Sequence, residues 1–193
     1  MQTSPARLVI SVAVTCLVAA IGLAATYAIA GPRIAEQEKR AEQAALAAVL
    51  PDADEFVAMS DDVLQAAQDA AGDSTVSAVY EANDVSGNTV GWGIRIASRG
   101  YGGPIPMVIG MDRDGKVVGL SILSMNETPG LGTRVQTEEW FLDQYLGLPE
   151  GYTEKDVKKL DTISGATKSS RGVRNSVIAA GAIYDEVLAG SAQ

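Results

Sequence analysis

The chain has 193 residues, with 15 Lys+Arg against 24 Asp+Glu, no histidine and one cysteine. That length holds one globular domain with an appendage, and a net charge of −9 argues against nucleic acid, which rewards clustered Lys and Arg. Without histidine there is no Ser-His-Asp triad or His-metal site, and one cysteine holds neither an iron–sulfur cluster, a Cys-rich zinc site nor an internal disulfide. Any redox chemistry falls to an organic cofactor.

Leu8 to Ala30 is an uncharged run of 23 residues. At ~1.5 Å rise per residue it crosses the ~30 Å hydrocarbon core of a bilayer. Ala28-Ile29-Ala30 resembles a signal-peptidase site, so a cleaved leader is the competing reading. The run is longer than a signal core of ~7–15 residues, and that favours a retained anchor over residues 1–30 in contact with membrane lipid. Cys16, inside the run, reads as apolar filler rather than a lipidation site. Arg7 lies on one side and Arg33, Lys39 and Arg40 on the other, so flanking charge does not set the orientation.

Beyond this segment the pattern predicts a stalk helix over residues 31–51, Ala- and Glu-rich and ended by Pro51. Residues 52–193 then form one acidic domain. A short helix is expected over Asp61–Ala71, with strands at Thr75–Glu81, Val90–Ala97, Met107–Met111 and Val117–Met125. Asp114-Gly115 between two of these marks a hairpin. Helix returns near Thr137–Leu146 and from about Ser170 to Leu188, where Val173, Val177, Ala180, Tyr184 and Val187 recur at helical spacing. The expected class is α+β: a mainly antiparallel sheet with flanking helices, preceded by one N-terminal transmembrane helix. Trp92 and Trp140 read as core or pocket wall, and Arg95 as a solvated side chain. Acidic pairs such as Asp61-Asp62 and Glu138-Glu139 suit the first turns of helices and form no catalytic pair or metal loop.

Two segments stand out. Asp161-Thr162-Ile163-Ser164-Gly165-Ala166-Thr167-Lys168-Ser169-Ser170 precedes the last helix. It lacks the glycine of a phosphate loop, and Gly130-Leu131-Gly132 fails as a dinucleotide fingerprint because Val135 stands where a third glycine belongs. The ordinary reading is an N-cap, since Ser and Thr commonly start helices. The same place suits an anion, with free amides, the positive end of the helix dipole, and Lys168, Arg171 and Arg174 close by in sequence. The second segment is Asn126-Glu127-Thr128-Pro129-Gly130-Leu131-Gly132-Thr133. Pro-Gly sets a tight turn with Gly130 at positive φ, and Gly132 lets the backbone approach a planar ligand. Read blandly, it is a rigid loop between a strand and a helix.

Asp-x-x-Ser-Gly-Ala-Thr resembles the flavinylation motif of the bacterial FMN-binding domain family. The resemblance implies that Thr167 carries FMN covalently through a phosphoester made by a dedicated flavin transferase. Asp161, Ser164, Gly165 and Ala166 would then be the sequence that enzyme reads, with Lys168 beside the phosphate. The Glu-Thr-Pro-Gly-Leu-Gly segment is similar to a signature shared by the G subunit of the Rnf electron-transport complex and the C subunit of the sodium-translocating NADH:quinone oxidoreductase. By that resemblance Glu127, Thr128, Gly130, Leu131, Gly132 and Thr133 lie against the flavin. Gly100-Tyr101-Gly102-Gly103-Pro104-Ile105 also looks like the family's loop before the central strands. Met125-Asn126 departs from relatives that carry a histidine nearby.

The length and single anchor are most similar to the Rnf branch. The resulting expectation is a membrane-anchored flavoprotein subunit relaying electrons within a ferredoxin/NAD ion-translocating complex. It would have other membrane subunits as partners, no catalytic residues or metal of its own, and a flavin domain on the outer face of the cell membrane. The alternatives are an FMN carrier like the C subunit of the quinone reductase and an anchored binding module without redox chemistry.

Overall fold

The structure, a computed structural model, describes residues 5–191. Helix α1 (Pro5–Val49) opens the chain, and β1 (Glu55–Ala58), α2 (Asp61–Ala70), β2 (Thr75–Asn83), β3 (Thr89–Arg99), β4 (Pro104–Asp112) and β5 (Val117–Ile122) follow. Two short helices, α3 (Arg134–Thr137) and α4 (Glu139–Asp143), precede α5 (Glu154–Lys158) and α6 (Thr167–Ile183), whose end runs into a wider turn over Tyr184–Leu188. Two compact units divide within α1, one up to Ala41 and one from Glu42. The first is a helix long and apolar enough to cross a membrane, with Pro32 inside it. Lacking an N–H, that proline leaves the carbonyl four residues earlier without its helical donor. Cys16 is exposed on this helix.

The second unit is built on a five-stranded antiparallel sheet in the order β1-β2-β3-β4-β5. Asx chemistry closes its turns. Asp84 Oδ1 accepts from the amides of Ser86 and Asn88, and Asp112 Oδ1 from those of Asp114 and Lys116. Gly115 has φ 72°, so the hairpin expected at Asp114-Gly115 forms. Alternation then gives each face its own core. Trp92, Ile94 and Ile96 of β3 with Met107, Ile109 and Met111 of β4 meet Val173, Val177, Ala180 and Ile183 of α6. The Trp92 and Tyr184 rings meet edge to face at 5.6 Å.

The opposite face receives the last two turns of α1, where Ala45, Leu46, Val49 and Leu50 are buried with Ala82 and Val108. Gly93, Gly110 and Gly119 are register partners across β3, β4 and β5, and they form a bare row under that helix. A Cβ built on Gly110 would sit 2.8 Å from the Val49 carbonyl oxygen, and one on Gly119 2.6 Å from Val49 Cα. The strip from Glu42 to Leu50, expected as stalk, therefore lies within the domain's packing. Arg95, expected to be solvated, donates to Glu42 at 2.9 Å, and Tyr80 Oη donates to the other oxygen of that carboxylate at 2.8 Å. Alternation alone could not foresee this, because the partner lies 53 residues away.

Other elements shift in detail. Strand β1 was not expected, since four residues are too short to show a period. The helix expected at Thr137–Leu146 is broken at Glu138, which leaves helical geometry at φ −96° and ψ 99°. Trp140 is 47 % exposed, and its indole N–H donates to Glu138, so it is neither core nor cleft wall.

Burial raises the phenol of Tyr145 from 10.0 to about 12. That of Tyr80 also rises to about 12, through burial and then its bond to Glu42. Both phenols stay protonated in the folded chain at pH values where the unfolded chain ionises. Their stabilising effect is whole below pH 10 and is lost as pH rises towards 12. A melting series across that window should show Tm falling together with the appearance of tyrosinate absorbance. Tyr145→Phe should make the fall shallower.

Candidate functional site

The second signature begins the site. Glu127 follows strand β5 by a short extended segment and enters the protein, where it is only 6 % exposed. Its Oε1 accepts from the amides of Tyr101, at 2.8 Å, and Gly102, at 3.1 Å. Its Oε2 accepts from the Ser169 hydroxyl at 2.8 Å. One carboxylate thus joins the loop between β3 and β4, the segment after β5, and the first turn of α6. Three donors offset the cost of burying it.

The glycines around it leave it room. A Cβ on Gly100 would collide with Glu127 Oε1, and one on Gly132 would sit 2.5 Å from Oε2 and 2.9 Å from Ser169 Oγ. Gly132 was expected to let a ligand approach. It does border the cleft, but its missing side chain makes space for the carboxylate. Gly130 has φ 74° and takes the left-handed turn expected of it. Its amide donates to Thr133 Oγ1 at 3.0 Å, while the amides of Leu131 and Gly132 fold back on the Thr128 carbonyl. Gly130 and Thr133 shape the loop without lining the cleft, whereas Leu131, 48 % exposed, lines it.

The first signature ends in α6, which begins at Thr167, three residues earlier than expected. Ala166 holds the cap position, and no hydroxyl caps the helix. The ordinary reading of the Ser/Thr cluster is therefore set aside. Ser169 is committed to Glu127, and Ser170 Oγ accepts from the Ile163 amide at 3.1 Å. Gly165, at φ 83°, turns the chain into the helix. The Thr167 side chain is exposed, and among the described residues its hydroxyl has no hydrogen-bond partner.

Asp161 and Ser164 lie outside the cleft, on the exposed approach to Thr167. Gln144 clamps the Asp161 backbone through its amide and carbonyl, and Arg134 Nη1 donates to the Ser164 carbonyl at 3.0 Å. Hydrogen bonding to Arg134 holds the carboxyl of Glu138 below its ordinary range, with a further bond from Trp140.

Between the two signatures opens a cleft of about 420 Å³, within the ~300–1,000 Å³ range of small-molecule sites. Glu127, Thr128, Leu131 and Gly132 of the second signature line it together with Gly165, Ala166, Thr167 and Lys168 of the first. Tyr101 and Ser169 complete it. Neither is marked as a site residue by sequence alone, although both lie within segments that stand out there. The Lys168 ammonium stands 5.4 Å from the centre of the Tyr101 ring. Apolar walls, one cation and a free hydroxyl at a helix N-terminus suit a planar aromatic group with a phosphate tail. Among the described residues no cluster of three His, Cys, Asp or Glu side chains stands ready for a metal.

Residues 100–181, which span both signatures and the cleft, match the family model of the FMN-binding domain. Sheet, cleft and match together define an FMN-binding domain of the α+β class. The solved C subunit of the Na(+)-translocating NADH-quinone reductase from Parabacteroides distasonis has a similar fold, with a TM-score of 0.54, 20% identity, and coverage of 79% of this chain and 92% of that one. In sequence the similarity is greater to proteins of another complex. The G subunit of an ion-translocating oxidoreductase complex from Methanosarcina acetivorans is 31% identical over 170 residues, 86% of this chain and 87% of that protein. The G subunit of a proton-translocating ferredoxin:NAD(+) oxidoreductase complex from Clostridium ljungdahlii is 28% identical over 168 residues, 85% and 83% of the two chains. The chain belongs to the family formed by the G subunits of the ion-translocating oxidoreductase complexes.

Proposed function

We propose that the protein is the FMN-carrying electron relay of a membrane-bound, ion-translocating oxidoreductase complex of the Rnf type, with FMN esterified through its phosphate to Thr167. The observation that carries the attachment site is the Thr167 hydroxyl, exposed and without a hydrogen-bond partner among the described residues at the edge of the cleft, while Ser169 and Ser170 beside it are both bonded. FMN bound there would accept electrons from one partner and pass them to the next. The chain's own residues supply the place. The first turn of α6 and Lys168 favour the remaining negative charge of a phosphodiester, and Leu131 and Tyr101 offer apolar surface to a ring.

A relay needs no substrate pocket of its own, and a covalent link keeps the group in a cleft open to partners. In this reading Asp161 and Ser164, exposed ahead of Thr167, are what a flavin transferase reads. The apolar stretch of residues 1–30 acts as a single-pass lipid anchor, with the flavin domain on the outer face of the membrane. Tethering raises the effective concentration of the domain near the other members of the complex.

Peptide mass spectrometry on the full chain, co-expressed with a flavin transferase, tests the attachment. The peptide holding Thr167 should be heavier by one FMN less one water, with the modification mapping to that residue. An unmodified Thr167 beside a flavin found elsewhere would overturn the assignment.

A further inference from the structure

Tyr101 is a large aromatic side chain left 67 % exposed on a loop that is otherwise held tightly. The loop closes on itself through the Gly100 amide and Gly103 carbonyl at 2.8 Å, and the Tyr101 amide is fixed by buried Glu127. Backbone anchoring of this kind sets where the ring starts. The Lys168 ammonium, 5.4 Å from the ring centroid, adds a cation–π contact that favours one side-chain orientation. Leu131, 48 % exposed, also lines the cleft, and a Cβ built on Gly165 would lie 3.2 Å from Leu131 Cδ2. Thr167 lines the same cleft. Aromatic and aliphatic side chains spend free energy when left in water, and a rigid loop that presents one into a cleft is suited to a flat apolar partner.

We propose that Tyr101 is the aromatic wall of the cleft on which the flavin ring rests, held in place by Lys168 and by the Glu127 anchor of its loop. The inference rests on the reading of the cleft as an FMN site and adds which side chain meets the ring.

A phenol stacked on an excited flavin quenches its emission by donating an electron, whereas an aliphatic side chain or a phenyl ring does not. Full-length wild type, Tyr101→Leu, Tyr101→Phe and Tyr101→Trp are therefore compared after co-expression with a flavin transferase, at equal covalent loading read from denaturing gels. In the native state, emission per flavin should rise several-fold in Tyr101→Leu and Tyr101→Phe and fall further in Tyr101→Trp, while all four proteins emit equally once denatured. Tyr101→Phe preserves the ring, so it decides the matter if Tyr101→Leu fails to fold. Equal native emission in wild type and Tyr101→Phe would overturn the proposal and leave the covalent FMN reading intact. Absence of covalent flavin from the wild type would instead overturn the reading beneath it.

Discussion

Glu127→Ala should destabilise the full-length protein by about 1–3 kcal/mol, the range for taking the acceptor from one buried and two part-buried donors. The carboxylate accepts from Tyr101 N, Gly102 N and Ser169 Oγ, and alanine leaves all three without a partner in a space that Gly100 and Gly132 keep empty for it. Glutamine separates hydrogen bonding from charge. Its carbonyl oxygen can take both backbone amides and its NH₂ can donate to Ser169 Oγ, so Glu127→Gln should cost no more than about 1 kcal/mol. Urea unfolding followed by Trp fluorescence measures both, because Trp92 is buried in the neighbouring core. A loss below about 0.5 kcal/mol for the alanine variant, the scale of ordinary surface changes, would contradict the role given to this carboxylate.

Gly110→Val should also be strongly destabilising, and in the direction opposite to its local preference. Valine is a far better strand residue than glycine, so an isolated β4 would gain from the change. Gly110, however, lies in the row with Gly93 and Gly119 under the end of α1, where even a Cβ would press on the Val49 backbone at 2.8 Å. Overpacking against backbone costs about 1–3 kcal/mol or more, since neither the helix nor the central strand can move alone. Gly103→Ala serves as the comparison, because a Cβ there meets nothing within 4 Å and φ is not positive. It should stay within about 0.5 kcal/mol of wild type. If Gly110→Val instead raised the urea midpoint, α1 would not seat on this row.

Much of the sheet is legible in the sequence because its signals are local. Asp114-Gly115 announces the β4–β5 hairpin, β3 shows alternation from Val90 to Ile96, and β4 reads as a short apolar run bounded by turns. The cleft is half legible for a different reason. The two signatures carry the residues that line it, yet nothing in their spacing says that Glu127 turns inward to hold both of the other segments. That depends on contacts 25 and 42 residues away. Tyr101 is hard to find as a site residue because a tyrosine between glycines reads as loop, and only the Glu127 anchor turns it into a wall. The Glu42–Arg95 pair and the glycine row under α1 are hidden in the same way. Each glycine looks like a weak strand residue until the helix above it is in place. Thr167 stands out by its motif, but its status as the first residue of α6, with Ala166 at the cap, needs coordinates.

Covalent FMN on Thr167 is read out by in-gel flavin fluorescence of the full-length chain co-expressed with a flavin transferase, beside Thr167→Ala. Removing only a methyl and an exposed hydroxyl without a partner among the described residues, that substitution should leave folding within about 0.5 kcal/mol of wild type. Attachment at Thr167 gives a fluorescent band that survives denaturation in the wild type and is absent from Thr167→Ala at equal protein load. A fluorescent band in the variant, or a dark wild-type band with a transferase that labels another substrate, would contradict it.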